Sequence, residues 1–357
     1  MTAAVLAGAR RILVVRPRAL GDLLLATPVL RALKRGVPGA ELHVLVDPLL
    51  QPVLAGNPHV DHMWTLPRRK GGRAGDWWRL YAALRRQRFD AVIDLHCTPR
   101  TAFLSWTTRA PVRVGYDLRG RGRLYTLRVG RDTDRHGVRR ALYAARTNLE
   151  ILARCGLPDP VLEDVALEWP ADPAAEAGMA GWFALAAPGK PRVGLSPAGT
   201  WPAKTYPAAH WAEVGDCLAA AGCTVILLWG PGEEGVVEAV RAQMQHRPVV
   251  PPRTDLVSMA ALVGGLDLVV CNDSGIKHVA VARGTATLTL YGPTNPVAWS
   301  PPSGPHAGLR SAVPCTACNF TRCHHQVCLR QLPPAAVATR ALECLGRRIP
   351  PEPACAS

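Results

Sequence analysis

The stretch ILVVRPRALGDLLLATPVLRALK, residues 12–34, reads as a strand, a turn and a helix in succession. Ile12 to Val15 is a continuous apolar run of strand length, Gly21 and Asp22 make a tight turn, and Leu23 to Lys34 carries apolar residues at helical spacing. Pro28 falls inside that helical pattern, so the helix either kinks there or begins late, with Pro in its first turn. Outward from this unit, Glu41–Val46 gives a second strand, Trp77–Arg86 a helix and Ala91–Leu95 a third strand. Strands alternating with helices predict a buried parallel sheet. Asn148–Arg154 reads as helical, and the Pro-rich passage from Gly156 to Pro173 reads as a linker, so a domain boundary is expected near residue 170.

The second half repeats the pattern. Arg192–Ser196, Thr224–Leu228, Leu266–Val270 and Thr287–Tyr291 are predicted strands; helices are expected over His210–Ala221, Glu233–Gln243, Ser274–Ala282 and Ala335–Leu345. The expected organisation is therefore residues 1–170, residues 171–345 with a Cys-rich loop at 315–328, and a tail at 346–357. Two doubly wound α/β domains bind ligands at the carboxyl ends of their strands, here expected to face a cleft between the domains. A length of 357 residues fits two domains at about 150 residues each. Apolar runs are broken before about 18 positions accumulate, so no transmembrane helix is predicted. Without a secretory signal pattern at the N-terminus, the expected location is cytoplasmic.

Charge is divided unequally. Residues 1–170 hold 28 Lys and Arg against 15 Asp and Glu, whereas residues 171–357 hold 14 against 12. A net +13 half with clusters such as Arg68-Arg69-Lys70, Arg85-Arg86 and Arg139-Arg140 suits a polyanion: glycolipid phosphates, an anionic membrane surface or nucleic acid. Solubility in an Arg-rich chain is the plainer alternative.

Several turns carry candidate chemistry. Asp22 follows the first strand, where its carboxylate can act as a general base or simply cap the next helix. Asn272-Asp273-Ser274-Gly275 follows another strand and opens a helix containing His278; free amides there can seat a diphosphate. Asp273 itself can grip a ligand hydroxyl, orient the turn or act as an N-cap. Pro197 to Thr200 ends a strand, and Lys204 in the following loop is either a cation beside this turn or a solvated lysine. Glu233 and Glu234 follow Trp229-Gly-Pro-Gly, where an acidic side chain can bind a ribose diol. Asp132-Thr-Asp134 spells a metal–diphosphate triplet, but chance produces such triplets and this one stands between Arg131 and Arg135. Cys315, Cys318, Cys323 and Cys328 can form a tetrahedral thiolate site for structural Zn or Fe, or remain free or redox-paired thiols.

Taken in order, Arg16 to Pro28, Asp94-Leu-His96, His136, Pro197 to Pro207, Gly230 to Glu234, Asn272 to His278 and Tyr291-Gly-Pro-Thr-Asn-Pro296 resemble glycosyltransferase family 9, over about residues 11–345. The resemblance implies a GT-B fold, with an N-terminal acceptor domain and a C-terminal nucleotide-sugar domain. It implies inverting transfer of heptose from ADP-heptose to a hydroxyl of an anionic glycolipid, the lipopolysaccharide inner core, with peripheral contact to the inner-membrane surface and no nucleic-acid partner. Asp22 is then the base and Lys204 the phosphate-binding cation. Glu233 or Glu234 holds ribose, and Thr200, Lys204, Asp273, Ser274, Gly275 and His278 serve the donor. Catalysis needs no cofactor if a cation and a helix terminus stabilise the leaving ADP. Arg16-Pro17-Arg18-Ala19 departs from the small hydroxyl residues usual before Leu-Gly-Asp in the family. The alternatives are a GT-B nucleotide-sugar epimerase or hydrolase, and a basic nucleic-acid-binding protein with a Cys metal site; aromatic content of only 6% disfavours the stacking platforms the latter needs.

Overall fold

The computed structural model describes residues 5–67, 74–131, 141–315 and 317–346. The chain forms two compact units, Met1–Pro170 and Ala171–Ser357. Arg68-Arg69-Lys70, Asp132-Thr-Asp134, His136, Arg139-Arg140 and the tail after Gly346 lie outside the described residues. Among the described residues, no helix is long and apolar enough to cross a membrane.

In the first unit, β1 (Arg11–Val15), β2 (Glu41–Val46), β3 (His62–Thr65), β4 (Ala91–Asp94), β5 (Val112–Tyr116) and β6 (Leu127–Val129) form one parallel sheet. Its order is β3-β2-β1-β4-β5-β6. Helices α1 (Leu20–Leu24), α2 (Thr27–Gly36), α3 (Gln51–Leu54), α4 (Ala74–Arg86), α5 (Pro99–Thr107) and α6 (Ala144–Arg154) connect and cover the strands. Central strands β1 and β4 are buried on both faces, which is why they read as unbroken apolar runs. Gly21 and Asp22 lie inside α1 rather than in a turn ahead of it, because the chain enters the helix at Leu20, and the stretch read as one helix is two. Pro28 stands in the first turn of α2, where a missing N–H costs no intrahelical bond.

In the second unit, β7 (Arg192–Ser196), β8 (Thr224–Leu227), β9 (Leu268–Asn272), β10 (Ala286–Leu290) and β11 (His306–Leu309) are likewise parallel, in the order β11-β10-β9-β7-β8. The helices are α7 (Pro173–Ala186), α8 (Ala208–Ala220), α9 (Glu234–Arg241), α10 (Leu256–Gly264), α11 (Gly275–Ala282), α12 (Pro296–Trp299), α13 (Val327–Arg330) and α14 (Pro334–Cys344). Trp211, Tyr206, Leu195, Val225, Val270 and Leu288 share one core cluster with Val337 and Ala341 of α14.

Several elements outran the sequence reading for local reasons. Strand β3 is a half-exposed edge without an apolar run, and β5 is interrupted by Arg113 and Gly115. Helix α7 begins inside the passage read as linker: the Asp172 carboxylate accepts the Ala175 N–H at 2.9 Å and Pro173 takes the first position.

Strand order locates the candidate sites. Each sheet has a point where successive connections run off in opposite directions, opening a crevice at the carboxyl ends of two adjacent strands. That point lies between β1 and β4 in the first unit and between β7 and β9 in the second. Asp22 follows β1; Lys204 follows β7 and Asp273 follows β9.

Candidate active site

In the second unit, Asn272 ends β9 fully buried and staples two turns together. Its amide donates to the Pro197 carbonyl at 2.8 Å and the Ala198 carbonyl at 3.3 Å, and its oxygen accepts the Tyr206 N–H at 3.2 Å. The loop after β7 is thereby fixed against the start of α11. Asn272→Ala should cost about 3 kcal/mol by orphaning these buried groups. Chemical denaturation would check this; an unchanged midpoint would remove the stapling role.

Asp273 is the hub. Its Oδ2 accepts from Lys204 Nζ at 3.0 Å and from Thr294 Oγ1 at 2.7 Å, while Oδ1 pairs with Lys277 Nζ. Burial alone would raise its pKa, but the charges of Lys277 and then Lys204 hold the carboxyl well below the usual carboxylate range. Lys277 is fully buried and also donates to Tyr291 Oη at 3.3 Å.

Lys204 is neither solvated nor lone. It lies in a short 3-10 turn, Pro202–Lys204, 9% exposed, with Nζ 4.2 Å from the centre of the Trp201 ring. Besides the Asp273 carboxylate, it donates to the Asp273 carbonyl at 3.2 Å. An ammonium has three donors, so one N–H remains for an oxyanion. Beside it, Ser274 and Gly275 are half-exposed at the first turn of α11, and Ser274 makes no side-chain cap, leaving the helix amides open to an anion.

Other predicted residues are more dispersed. His278 is buried, and burial followed by the neighbouring Lys277 charge drives its pKa well below normal, so the ring is neutral; it meets Trp299 edge-on at 6.2 Å. Thr200 is exposed. The Glu233 carboxylate folds back to accept the Gly230 N–H at 2.8 Å, whereas Glu234 is exposed on the first turn of α9.

In the first unit, the Asp22 carboxylate is 34% exposed and both its oxygens are engaged. One pairs with the Arg16 guanidinium at 2.5 Å; the other accepts the Ala19 N–H at 3.1 Å. Arg16 also donates to the Leu95 carbonyl, tying the turn after β1 to the end of β4. Asp22 therefore caps its helix and keeps a partly open carboxylate. His96 lies nearby; burial, then the Arg16 charge, lowers its pKa to about 4, leaving it neutral. Asp94 ends β4 wholly buried, accepting from Tyr125 Oη at 2.7 Å and from the His96 and Cys97 amides at 2.9 and 2.8 Å. Burial raises its pKa. A Cβ on Gly115 would stand 2.5 Å from the Tyr125 ring, so the glycine makes room for that hydrogen bond.

The Cys-rich loop abuts the Lys204 turn: Ala203 N–H donates to the Thr321 carbonyl at 3.2 Å, and the Gln326 amide donates to the Pro202 carbonyl. Cys328 is buried and its thiol pKa is raised by burial, then by Cys315 and Cys318. Cys315 and Cys318 are exposed. The donor set suits a tetrahedral thiolate site, yet no three of these sulfurs lie within 4.8 Å of one another; among the described residues, Glu41, His43 and His62 are the group that does.

Lys277, Asn272, Thr294 and Arg16 were not assigned roles from the sequence. Lys277 had a signal, since it stands four residues after Asp273 on one helical face. Asn272 and Thr294 come into reach only through strand order, whereas Arg16 meets Asp22 within the short connection from β1 to α1.

The family model described as Glycosyltransferase family 9 (heptosyltransferase) matches residues 77–328. The chain belongs to glycosyltransferase family 9. Among curated relatives of this family 9 enzyme, it is 26% identical to Lipopolysaccharide heptosyltransferase 1 of Pseudomonas aeruginosa over 355 residues, covering 92% of this chain and 96% of that one. It is 28% identical to Lipopolysaccharide heptosyltransferase 2 of Salmonella typhimurium over 300 residues, covering 80% and 84%. The solved structure of Escherichia coli ADP-heptose lps heptosyltransferase II is similar with a TM-score of 0.75 at 22% identity, covering 94% and 98%. The family 9 glycosyltransferase thus has the GT-B fold, two Rossmann-like parallel α/β units in one chain.

Proposed function

We propose that the protein transfers heptose from ADP-heptose to a hydroxyl of an anionic glycolipid, the lipopolysaccharide inner core, inverting the anomeric carbon. The observation that carries this reading is the buried Lys277–Asp273–Lys204 array at the switch point of the second unit, beside the open first turn of α11. It presents one cation and several amides to a single location, as a departing diphosphate requires. Family membership supports sugar transfer. The names of the relatives supply the heptose and lipopolysaccharide, and that of the solved neighbour the ADP donor.

In the proposed mechanism, Asp22 takes the acceptor proton as the hydroxyl attacks the anomeric carbon from the face opposite ADP. Arg16 holds one carboxylate oxygen and so presents the other toward the acceptor, exchanging the Ala19 amide for the incoming hydroxyl. Lys204 and the amides of Ser274 and Gly275 take the charge growing on the diphosphate. Asp273 and His278 act as positioning residues: Asp273 fixes Lys204, and His278 packs beneath the turn. Glu234, exposed at the start of α9, binds the ribose diol, while Glu233 shapes the turn and Thr200 borders the phosphates. The assignment puts the acceptor on residues 1–170 and the donor on residues 171–345. The basic first unit suits a phosphorylated acceptor in the cytoplasm, at the inner face of the membrane.

Mass spectrometry after incubation with ADP-heptose and heptose-free inner-core acceptor tests this. One added heptosyl group and one ADP released per acceptor are expected. An epimerised nucleotide sugar, or free heptose formed equally without acceptor, would replace transfer by the epimerase or hydrolase reading.

For the Cys-rich loop we propose a structural role, in which Zn or Fe held by Cys315, Cys318, Cys323 and Cys328 pins the loop against the Lys204 turn. Binding requires the exposed Cys315 and Cys318 to close toward Cys328. Elemental analysis should find one such metal per chain in the purified protein and none in Cys318→Ser; a wild type purified metal-free under reducing conditions would leave these groups as thiols.

A further inference from the structure

Helices α4 and α5 carry an aromatic ridge on the surface of the first unit that the transfer reaction does not use. Trp77 and Trp78 each meet Tyr81 at 6.0 and 5.9 Å between ring centroids; Tyr81 meets Phe103 of α5 at 5.7 Å, and Phe103 meets Trp106 at 5.7 Å. Five rings therefore run continuously across two helices. Trp78 is 65% exposed, Trp106 50% and Phe103 38%. The same helices bury Leu80, Leu84 and Leu104 against Leu13, Val15 and Val92, and Trp77 and Tyr81 pack half-buried against this core, so Trp78, Phe103 and Trp106 are the rings of the ridge left to solvent. Large apolar rings in contact with one another and open to solvent mark an interaction surface rather than scattered exposure.

Charge chooses the partner. On α4, Arg85 follows Trp78 and Tyr81 at helical spacing; on α5, Arg100, Phe103 and Trp106 form one i, i+3, i+6 stripe, with Arg109 just beyond. Arg100 lies over the Trp77 ring at 4.7 Å, and Arg79, Arg85, Arg86, Arg100 and Arg109 are all exposed. The acidic residue of α4, Asp76, sits 3.3 Å from Arg79. Tryptophan and tyrosine at the level of lipid headgroups, rimmed by arginine, are the side-chain chemistry of an anionic bilayer interface. Placement agrees for the start of the ridge: Trp77 and Trp78 stand at the start of α4, after the carboxyl end of β3, the edge of the sheet at which Asp22 follows β1.

We propose that the α4–α5 ridge docks the protein on an anionic phospholipid surface, with Trp78 and Trp106 entering the headgroup region and the flanking arginines pairing with lipid phosphates. This deepens the acceptor reading, since a lipid-borne acceptor presents its sugar at that edge, but docking itself needs neither donor nor acceptor. The test uses the full chain and vesicles of phosphatidylcholine with or without phosphatidylglycerol, free of any glycolipid. Co-sedimentation with the anionic vesicles and a blue shift of tryptophan emission are expected, both fading at high salt. Arg85→Gln with Arg100→Gln should weaken partitioning by about fivefold per arginine. Trp78→Ser with Trp106→Ser should abolish the shift while leaving turnover on a soluble, deacylated acceptor unchanged. Equal binding to neutral vesicles, undiminished binding by the Trp78→Ser/Trp106→Ser protein, or a Trp78-dependent dimer in light scattering would overturn the proposal. Failure of transfer with intact vesicle binding would count against the reaction alone.

Discussion

Asp22→Asn should lower kcat by about 10²- to 10⁴-fold, the range a positioned general base supplies, while ADP affinity stays within about twofold. Asparagine keeps the size of the side chain and an oxygen for the Ala19 N–H, so α1 retains its cap. What disappears is the proton acceptor and the charge opposite Arg16. That ion pair is about one-third exposed on the aspartate side, so its loss should cost about 1 kcal/mol or less of stability. Steady-state kinetics, calorimetric titration with ADP and a melting curve separate the three quantities. Turnover equal to wild type would remove Asp22 from the chemistry. A parallel fall in ADP affinity would instead make it part of the donor site.

Replacing Asp273 by Asn is expected to act on the fold as much as on the reaction. Lys277 is fully buried and Lys204 nearly so, and an amide offers neither of them a countercharge. Breaking a buried pair by removing one partner costs about 3–5 kcal/mol, because the remaining charge has no water to return to. For a unit of this size that is a fall in Tm of about 10 °C. Adding Lys277→Met to Asp273→Asn should recover part of the loss, since the deepest unpaired charge is then gone; no recovery would mean that the hub acts through packing instead. The pH dependence has a definite sign. The Asp273 carboxyl titrates lower in the folded protein than the roughly 3.9 of an unfolded chain. Its contribution is therefore complete above that value and drains away as pH falls through the folded pKa. Wild-type Tm should drop on the acid side below about pH 4, and the Asp273→Asn protein should show a shallower acid limb. Identical acid limbs would show that some other carboxylate carries the effect.

Much of the candidate site was legible residue by residue, and little of it relationally. Asp22, Lys204, Asp273, Ser274 and Gly275 each follow a strand, and turn residues after an apolar run are a local signal. That Lys204 is held by Asp273 was not legible, because 69 residues and one whole strand, β8, separate them in sequence. They meet because β9 pairs with β7 and passes over β8. Arg16 looked like a departure from the expected pattern, and in the fold it is the counterion of Asp22. Strands β3, β6 and β11 escaped the reading because short edge strands are half-exposed and lack a continuous apolar run, and the interior strand β5 escaped it because Arg113 and Gly115 interrupt its apolar run.

The sequence by itself determined the two doubly wound units and their parallel central strands. Burial on both sheet faces demands runs such as Ile12–Val15, and helices covering those faces must alternate with them along the chain. Tertiary structure alone decided the charge arrangement: which carboxylate meets which cation, which lysine is dry, and that rings from α4 and α5 join into one ridge. Periodicity reports the faces of single elements, whereas ion pairs and ring contacts between elements depend on strand order and register, which no local pattern encodes.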